Sequence, residues 1–226
     1  MRWFKLFVLF ISSLSLTSCI DIIDDITLNA DGSGTFKYTI NLSASKTKVK
    51  SILALDSLDG KKVPSIEEIK AKVLSFRTNL EKQSGISNVK IEEDYDNYFF
   101  RLSCDFTSVM ALQEALTTVI ELVSNEKNVP ELQHQWLAWD GTKLVRSIPE
   151  ITIKKTKELQ QEDIDLLKLG SYTSISRFPR VVEKCDNPAA AISKNNLNVM
   201  IKTNPYALSQ NTSLLENTIY LVPNKN

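Results

Sequence analysis

Two runs of alternating apolar and polar residues flank a glycine-rich turn near the start of the chain. In the first run, residues 20–28, one parity carries Ile20, Ile22, Ile26 and Leu28. In the second run, residues 35–42, one face carries Phe36, Tyr38, Ile40 and Leu42. The turn between the runs reads Asp31-Gly32-Ser33-Gly34. A period of two around such a turn predicts a β-hairpin, and this pairing limits the fold to one that contains an antiparallel sheet.

Further hairpins are predicted around Asp96-Asn97 and Asp140-Gly141. A capping box at Ser65 and Glu68 and a serine cap at Ser108 predict two main helices. More strands are expected after a short helix at 162–169, with Ile151 and Ile153 extending the strand system and Pro179 interrupting a strand at 172–183. The order predicts an α+β fold: an antiparallel sheet built from hairpins, two main helices packed on one face, and a β-rich C-terminal part.

The first 18 residues have the composition of a secretory signal. Arg2 and Lys5 precede an apolar stretch at 6–16, and small residues follow it. The stretch is too short to span a membrane, which takes about 20 apolar residues. The segment 1–18 is therefore predicted to be a signal peptide that takes no part in the fold.

The residues at the end of this segment, Leu16-Thr17-Ser18-Cys19, resemble the lipobox of bacterial lipoproteins. The resemblance implies cleavage between Ser18 and Cys19 and a diacylglycerol on the Cys19 sulfur. It also implies an acyl chain such as palmitate on the new amino group. Two or three acyl chains hold a protein stably on a membrane, whereas one does so only reversibly. The expected localisation is the cell envelope, on the periplasmic or extracytoplasmic face of a membrane or at the cell surface.

The mature chain is predicted to hold an α+β lipoprotein domain at 19–155 and a β-rich part at 156–226 packed with it. Removing Arg2 and Lys5 from the 27 basic residues leaves 25 against 27 acidic ones, a net charge of −2. This balance excludes the electrostatic footprint of a nucleic-acid-binding protein and argues against a broad basic surface on anionic lipid. Asp21, Asp24 and Asp25 are expected to form a solvated tether beside the anchor.

Cys104 and Cys185 are the cysteines that remain after Cys19. In an exported protein two thiols can form a disulfide. Cys104, however, falls in the alternation of Phe100, Leu102 and Phe106, which suits a buried free cysteine equally well. Both alternatives stay open at the level of the sequence.

The sequence carries no recognisable catalytic or metal-binding constellation. His134 is the one histidine, and no Gly-x-Ser-x-Gly elbow accompanies it. A zinc site with several histidines is excluded by count, and no cofactor motif is present. The expectation is a protein that is not an enzyme, with no catalytic residue, metal or cofactor.

Two aromatic residues lie out of phase with the apolar faces around them. Phe99 and Trp136 either pack under a second layer or form a surface for a ligand or a partner. The hypothesis at this point is a ligand or partner surface at these two residues.

Several segments in order resemble the LppM-like envelope lipoproteins. They are Cys19 with the strand after it, the turn Asp31–Gly34 with Thr35–Ile40, the run Phe99–Leu102 leading through Asp105-Phe106 into a helix, and Phe178-Pro179 before the last strands. The resemblance implies a lipid-anchored α+β domain without enzyme activity that binds a lipid or glycolipid in an apolar cavity. The chain lacks the C-terminal membrane helix of that pattern.

Two functions follow as expectations. The first is a non-enzymatic envelope lipoprotein, anchored to the membrane through Cys19, that binds a lipid or another amphiphile in an apolar site. The second is a structural or assembly lipoprotein that docks an envelope protein through strand edges or the surface at Phe99 and Trp136.

Overall fold

The structure, a computed structural model, describes residues 20–58, 60–124, 133–148 and 161–223. Its helices and antiparallel strands confirm the predicted α+β class. The strands are β1 (Asp21–Leu28), β2 (Gly34–Asn41), β3 (Ser57–Leu58), β4 (Lys61–Lys62), β5 (Ile86–Asp94), β6 (Phe99–Phe106), β7 (Leu137–Trp139), β8 (Lys143–Arg146), β9 (Ser171–Arg177), β10 (Val182–Cys185), β11 (Ala191–Ile192), β12 (Asn198–Thr203) and β13 (Asn217–Leu221). The α-helices are α1 (Lys46–Leu53), α2 (Ile66–Leu80), α3 (Val109–Ser124), α4 (Gln161–Leu169) and α5 (Pro205–Gln210), with 3₁₀ turns at Ser43–Ser45 and Thr212–Leu214. None of these described helices is long and apolar enough to cross a membrane.

Two sheets build the body of the protein. The large sheet has seven strands in the order β11-β12-β9-β1-β2-β6-β5, and the small sheet has four in the order β10-β13-β8-β7. Both sheets combine strands from 19–155 with strands from 156–226. The two predicted parts therefore share their sheets.

Two features of the topology differ from the hairpin-only sheet expected from the sequence. β1 and β9 pair in parallel, with Asp21 opposite Ser171. The strand predicted across Pro179 is in fact two strands, because β9 lies in the large sheet and β10 in the small one. Pro179 has no backbone donor, and it lies where the chain leaves one sheet for the other.

The predicted first hairpin is present as β1 and β2, with Leu28 opposite Gly34. In its turn, the Ser33 amide donates to the Asp31 carboxylate at 3.0 Å. A Cβ on Gly34 would lie 2.0 Å from the carbonyl oxygen of Thr27 and 2.7 Å from the Phe106 ring. Only glycine fits this close approach, which lets the hairpin begin directly against β6.

The two main helices begin where the caps were predicted. The Ser65 side chain accepts from the Glu68 amide, and the Glu68 carboxylate accepts from the Ser65 amide, which completes the capping box. Ser108 accepts from the Ala111 amide at 3.1 Å and caps α3. α2 and α3 pack against each other and against β5 and β6.

The two ends of the large sheet differ in packing. The closed end is the end where Leu28 lies opposite Gly34 and Gly34 lies opposite Phe106. The core side chains there have almost no exposed surface: Ile26, Leu28, Leu80, Leu112, Val119, Leu137 and Leu144. At the open end, Asp21 lies opposite Asn41, which in turn lies opposite Phe99. The apolar residues nearest this row, such as Ile22 and Ile40, are only half-buried.

Several predictions fall outside the described residues. These are the signal peptide, its cleavage between Ser18 and Cys19, the lipid on Cys19, and the strand extension at Ile151 and Ile153.

Candidate functional site

The inward face of the large sheet is hollow towards the open end. A cavity of about 580 Å³ lies between this sheet, α3 and the small sheet. Its walls come from strands β1, β2, β6 and β9, helices α2, α3 and α5, and the chain around the small sheet; they include Phe36, Tyr38, Phe76, Leu102, Leu116, Ile120, Trp136, Ile148, Tyr172, Leu208 and Leu215. Pockets of about 300–1,000 Å³ with apolar walls are the usual sites for small organic ligands.

A second cavity of about 380 Å³ lies between α2 and strands β2, β5 and β6. It shares the side chains of Tyr38, Phe76 and Leu102 with the first cavity, so the two adjoin. We call the two cavities together the hollow. The smaller cavity extends to Ile40 and Phe100, which directly adjoin the pair of Asn41 and Phe99 at the open end of the sheet.

The arrangement of the helices explains why the hollow lies at this end. α3 follows β6 and runs back along it, from Val109 at the closed end to Val123 beside Phe100. Large side chains fill the space under α2 and α3 at the closed end. Towards the open end, Val73 and Val123 line the smaller cavity, and both side chains are only half-buried.

One wall of the larger cavity carries a buried ion pair. The Asp24 side chain is 3% exposed and the Arg146 side chain 6%, and Arg146 Nη2 donates to Asp24 Oδ1 at 2.7 Å. The Tyr172 hydroxyl donates to Asp24 Oδ2 at 2.7 Å, and the Ser174 hydroxyl to Oδ1 at 3.0 Å. Buried charges occur in proteins when they are paired and hydrogen-bonded in this way. The pair links β1 of the large sheet to β8 of the small one.

The prediction of a solvated tether at the acidic residues after Cys19 is wrong. Asp24 is buried, Asp25 binds Arg177 at 2.8 Å, and Asp21 accepts from the Ser171 hydroxyl at 2.7 Å. The sequence held a signal for Asp24, because it has the same parity as Ile22 and Ile26. Alternation alone placed Asp24 on the inward face, where a carboxylate needs a partner.

Two tyrosines beside the ion pair are held neutral. Burial, together with the Asp24 carboxylate, raises the pKa of Tyr38 to about 12. Burial is also the main cause that raises the pKa of Tyr172, and the neighbouring Asp24 charge adds to it. Both hydroxyls thus remain protonated near neutral pH and act as hydrogen-bonding groups on an otherwise apolar wall.

Of the two aromatic residues proposed as a surface, only Trp136 lines the hollow. Its ring packs edge-on against Phe36, with 6.1 Å between centroids. Gln113 on α3 holds this segment, since its Oε1 accepts from the Trp136 amide at 3.0 Å. Phe99 precedes the inward-facing Phe100 and lies on the outer face of the sheet, where the Arg101 guanidinium carbon is 5.1 Å from its ring centroid. The two residues therefore do not form one surface.

The two cysteines of the domain are free thiols. Cys104 is buried on β6 opposite Phe36, and Cys185 is half-buried on β10 of the other sheet. Burial raises the pKa of the Cys104 thiol to about 12, and burial likewise raises the pKa of Cys185. The free-thiol alternative is the one that the structure shows, because each thiol packs within its own sheet.

His134 has a structural contact, since its Nε2 lies 2.9 Å from the Ser147 hydroxyl. Among the described residues there is no group of three or more side chains that could hold a metal ion. Lys72 on α2 is exposed and lines the smaller cavity, so it places a positive charge at the rim of the hollow.

Comparison with known proteins gives one structural likeness. No family model matches the chain, and no curated protein matches it. The chain is similar in structure to the folded domain of LppM from Mycobacterium tuberculosis, solved by NMR, with a TM-score of 0.43 and 9% sequence identity over 92% of each chain. The expected resemblance to LppM is thus supported only as a weak likeness of fold, and it identifies neither a family nor a function.

Proposed function

We propose that the protein is a non-enzymatic lipoprotein of the bacterial cell envelope, anchored through Cys19, that binds an amphiphile in the hollow. The observation that carries the proposal is the hollow itself: two adjoining cavities of about 580 and 380 Å³ whose walls are mostly apolar side chains. Space of this size with apolar walls favours a hydrocarbon chain over water, because water there would find few hydrogen-bonding partners.

The polar groups on the walls support an amphiphile rather than a pure hydrocarbon. Tyr38 lines both cavities with a neutral hydroxyl, and Arg146 lines the larger one. Arg146 binds Asp24 through its two terminal nitrogens. A guanidinium has five N–H donors, so these two hydrogen bonds do not use all of them. Lys72 offers a further positive charge at the rim. A ligand with a hydrocarbon chain and a hydrogen-bond-accepting head group matches this set.

The position of the chain start supports access from a membrane. Ile20 is fixed at the open end, where its carbonyl accepts from the Ser171 amide at 2.7 Å. Cys19 is one residue away, and consecutive Cα atoms lie about 3.8 Å apart. A lipid on Cys19 would therefore hold the open end of the sheet, with the hollow behind it, close to the bilayer.

Lipid retained during purification tests this proposal. The mature chain with Cys19→Ser is purified from its native host without detergent, and extracted lipid is quantified per protein by mass spectrometry. We expect one predominant amphiphile in stoichiometric amount. Val73→Trp fills the smaller cavity, and the matched control Leu74→Trp adds the same ring to the neighbouring residue, which is 64% exposed. Lipid should fall in the first variant and stay constant in the second.

Only trace, mixed lipid in the parent chain, or equal lipid in both variants, would count against binding in the hollow. The second function, docking of an envelope protein, would then take its place. The observation favouring it is Phe99, which lies on the outer face of the large sheet beside the edge strand β5. Trp136 lines the hollow, so it would not share in that docking surface.

A further inference from the structure

One segment stands apart from the packed body. Residues 43–62 leave the end of β2 and contain α1 and the hairpin of β3 and β4. None of the side chains described in this segment is buried. The apolar residues of α1, Val49, Ile52 and Leu53, are only half-buried. We call residues 43–62 the basic projection.

The charge of the basic projection is opposite to that of the mature chain as a whole. It carries five lysines, Lys46, Lys48, Lys50, Lys61 and Lys62, and two aspartates, a net charge of +3. Lys62 pairs with Glu68 on α2, and Lys46 donates to the Asn97 side chain. Three of these lysines lie on α1, which has no acidic residue. Such a local cluster attracts an anionic surface even though the net charge of the mature chain is slightly negative.

Exposed leucines accompany the lysines. Leu55 is 46% exposed and Leu58 38%, directly between α1 and β4. Lysines next to exposed leucines, on a short element without a fully buried side chain, have the composition of a segment that binds at a membrane interface. A protein partner would call instead for a larger apolar or aromatic centre.

The basic projection lies at the open end of the sheet. β2 ends at Asn41, which is opposite Asp21, the first residue of β1. Other exposed leucines lie at this end: Leu122 near the end of α3 and Leu169 directly before β9 are 55% and 59% exposed. The start of β1, the part of the hollow lined by Ile40 and Phe100, and the basic projection therefore share one end of the molecule.

We propose that the basic projection binds the surface of an anionic lipid bilayer. Lys48 and Lys50 would pair with lipid phosphates while Leu55 and Leu58 enter the interface. A lipid on Cys19 alone fixes distance but not orientation. A second contact to the side turns the open end, and with it the hollow, towards the membrane. This inference relies on the proposed anchor for proximity only, and it does not depend on a ligand in the hollow.

Sedimentation with vesicles tests the inference on the mature chain with Cys19→Ser. The vesicles contain phosphatidylcholine alone, or phosphatidylcholine with phosphatidylglycerol in equal parts. We expect binding to the anionic vesicles and little to the neutral ones. Lys48→Gln with Lys50→Gln should weaken the partition coefficient by roughly fivefold per lysine. Leu55→Ser with Leu58→Ser should also weaken it, and high salt should abolish the lysine effect.

Matched controls lie elsewhere on the surface. Lys37 on β2 and Lys194 in the turn before β12 are exposed, so Lys37→Gln with Lys194→Gln removes the same charge, and Leu74→Ser removes an exposed leucine from α2. These controls should bind like the parent. No binding to anionic vesicles, or equal losses in the control and projection variants, would overturn the inference. Val73→Trp, which tests the hollow, should leave vesicle binding unchanged, so the two proposals fail separately.

Discussion

Replacing Asp24 by asparagine preserves the shape of the side chain and removes one charge of the buried pair. The Arg146 guanidinium, whose side chain is 6% exposed, would then lie in an apolar wall without its counter-charge. The Tyr172 and Ser174 hydroxyls would keep only a neutral acceptor. Removing one partner of a buried ion pair costs about 3–5 kcal/mol, because the remaining charge stays desolvated. We expect Asp24→Asn to lower the free energy of unfolding by this amount.

The neighbouring pair supplies a matched control. Asp25 lies in the same strand as Asp24 and binds Arg177 of β9 at 2.8 Å. The Arg177 side chain, however, is 42% exposed. Water screens this pair, so Asp25→Asn should cost about 1 kcal/mol or less. The two variants share the substitution, the strand and the type of partner, and they differ in the burial of the pair and in the two hydroxyl groups that donate to Asp24.

Urea unfolding followed by circular dichroism measures both values at neutral pH. Asp24 also accepts from the Tyr172 and Ser174 hydroxyls, so the apolar replacement has to remove these donors as well. The variant Asp24→Leu, Arg146→Met, Tyr172→Phe and Ser174→Ala should recover most of the lost stability, because apolar residues of similar volume replace a buried pair at little cost. If Asp24→Asn costs no more than Asp25→Asn, or if the fourfold variant is as unstable as Asp24→Asn, the reasoning from burial is refuted.

Two further predictions use the pKa shifts around the core. The pKa of Tyr38 is about 12 in the folded protein and about 10 in the unfolded chain. Above pH 10 the unfolded chain therefore loses the tyrosine proton first, and the free energy of unfolding falls towards pH 12. Tyr38→Phe should reduce this fall by about 2–3 kcal/mol in urea unfolding at a series of pH values, and an equally steep fall in the variant would contradict the prediction. A thiol reagent at mildly alkaline pH should label the half-buried Cys185 slowly. It should label Cys104 only in urea, because Cys104 is buried and the pKa of its thiol is raised to about 12. If the unreduced protein showed no reactive thiol after unfolding, the two cysteines would instead form a disulfide.

Local sequence signals predicted most of the elements. The hairpin of β1 and β2, the capping box at Ser65, the cap at Ser108 and the turn at Asp140-Gly141 all depend on residues close together in the chain. Such signals depend on backbone conformation and on short hydrogen bonds, and both are set within a few residues. The helix α5, by contrast, was missed, because six residues carry too little periodicity to distinguish it from a loop.

The pairing of strands was harder to predict. A period of two shows which face of a strand is buried, but not which strand lies beside it. The parallel pairing of β1 with β9 and the change of sheet at Pro179 therefore followed only from the three-dimensional arrangement. The same limit explains Asp24, whose parity indicated an inward side chain while its partner, Arg146, lies 122 residues away in the chain.

Composition and nearby residues are enough to predict the α+β class, the caps and the turns, and they show no recognisable catalytic motif. The three-dimensional arrangement is needed to show that the core is packed at one end and hollow at the other, and that Trp136 belongs to the hollow while Phe99 does not. The tertiary structure also places the lysines of the basic projection at the end of the sheet where β1 begins. These features depend on how helices and sheets of fixed length overlie one another, and no local pattern of residues encodes that overlap.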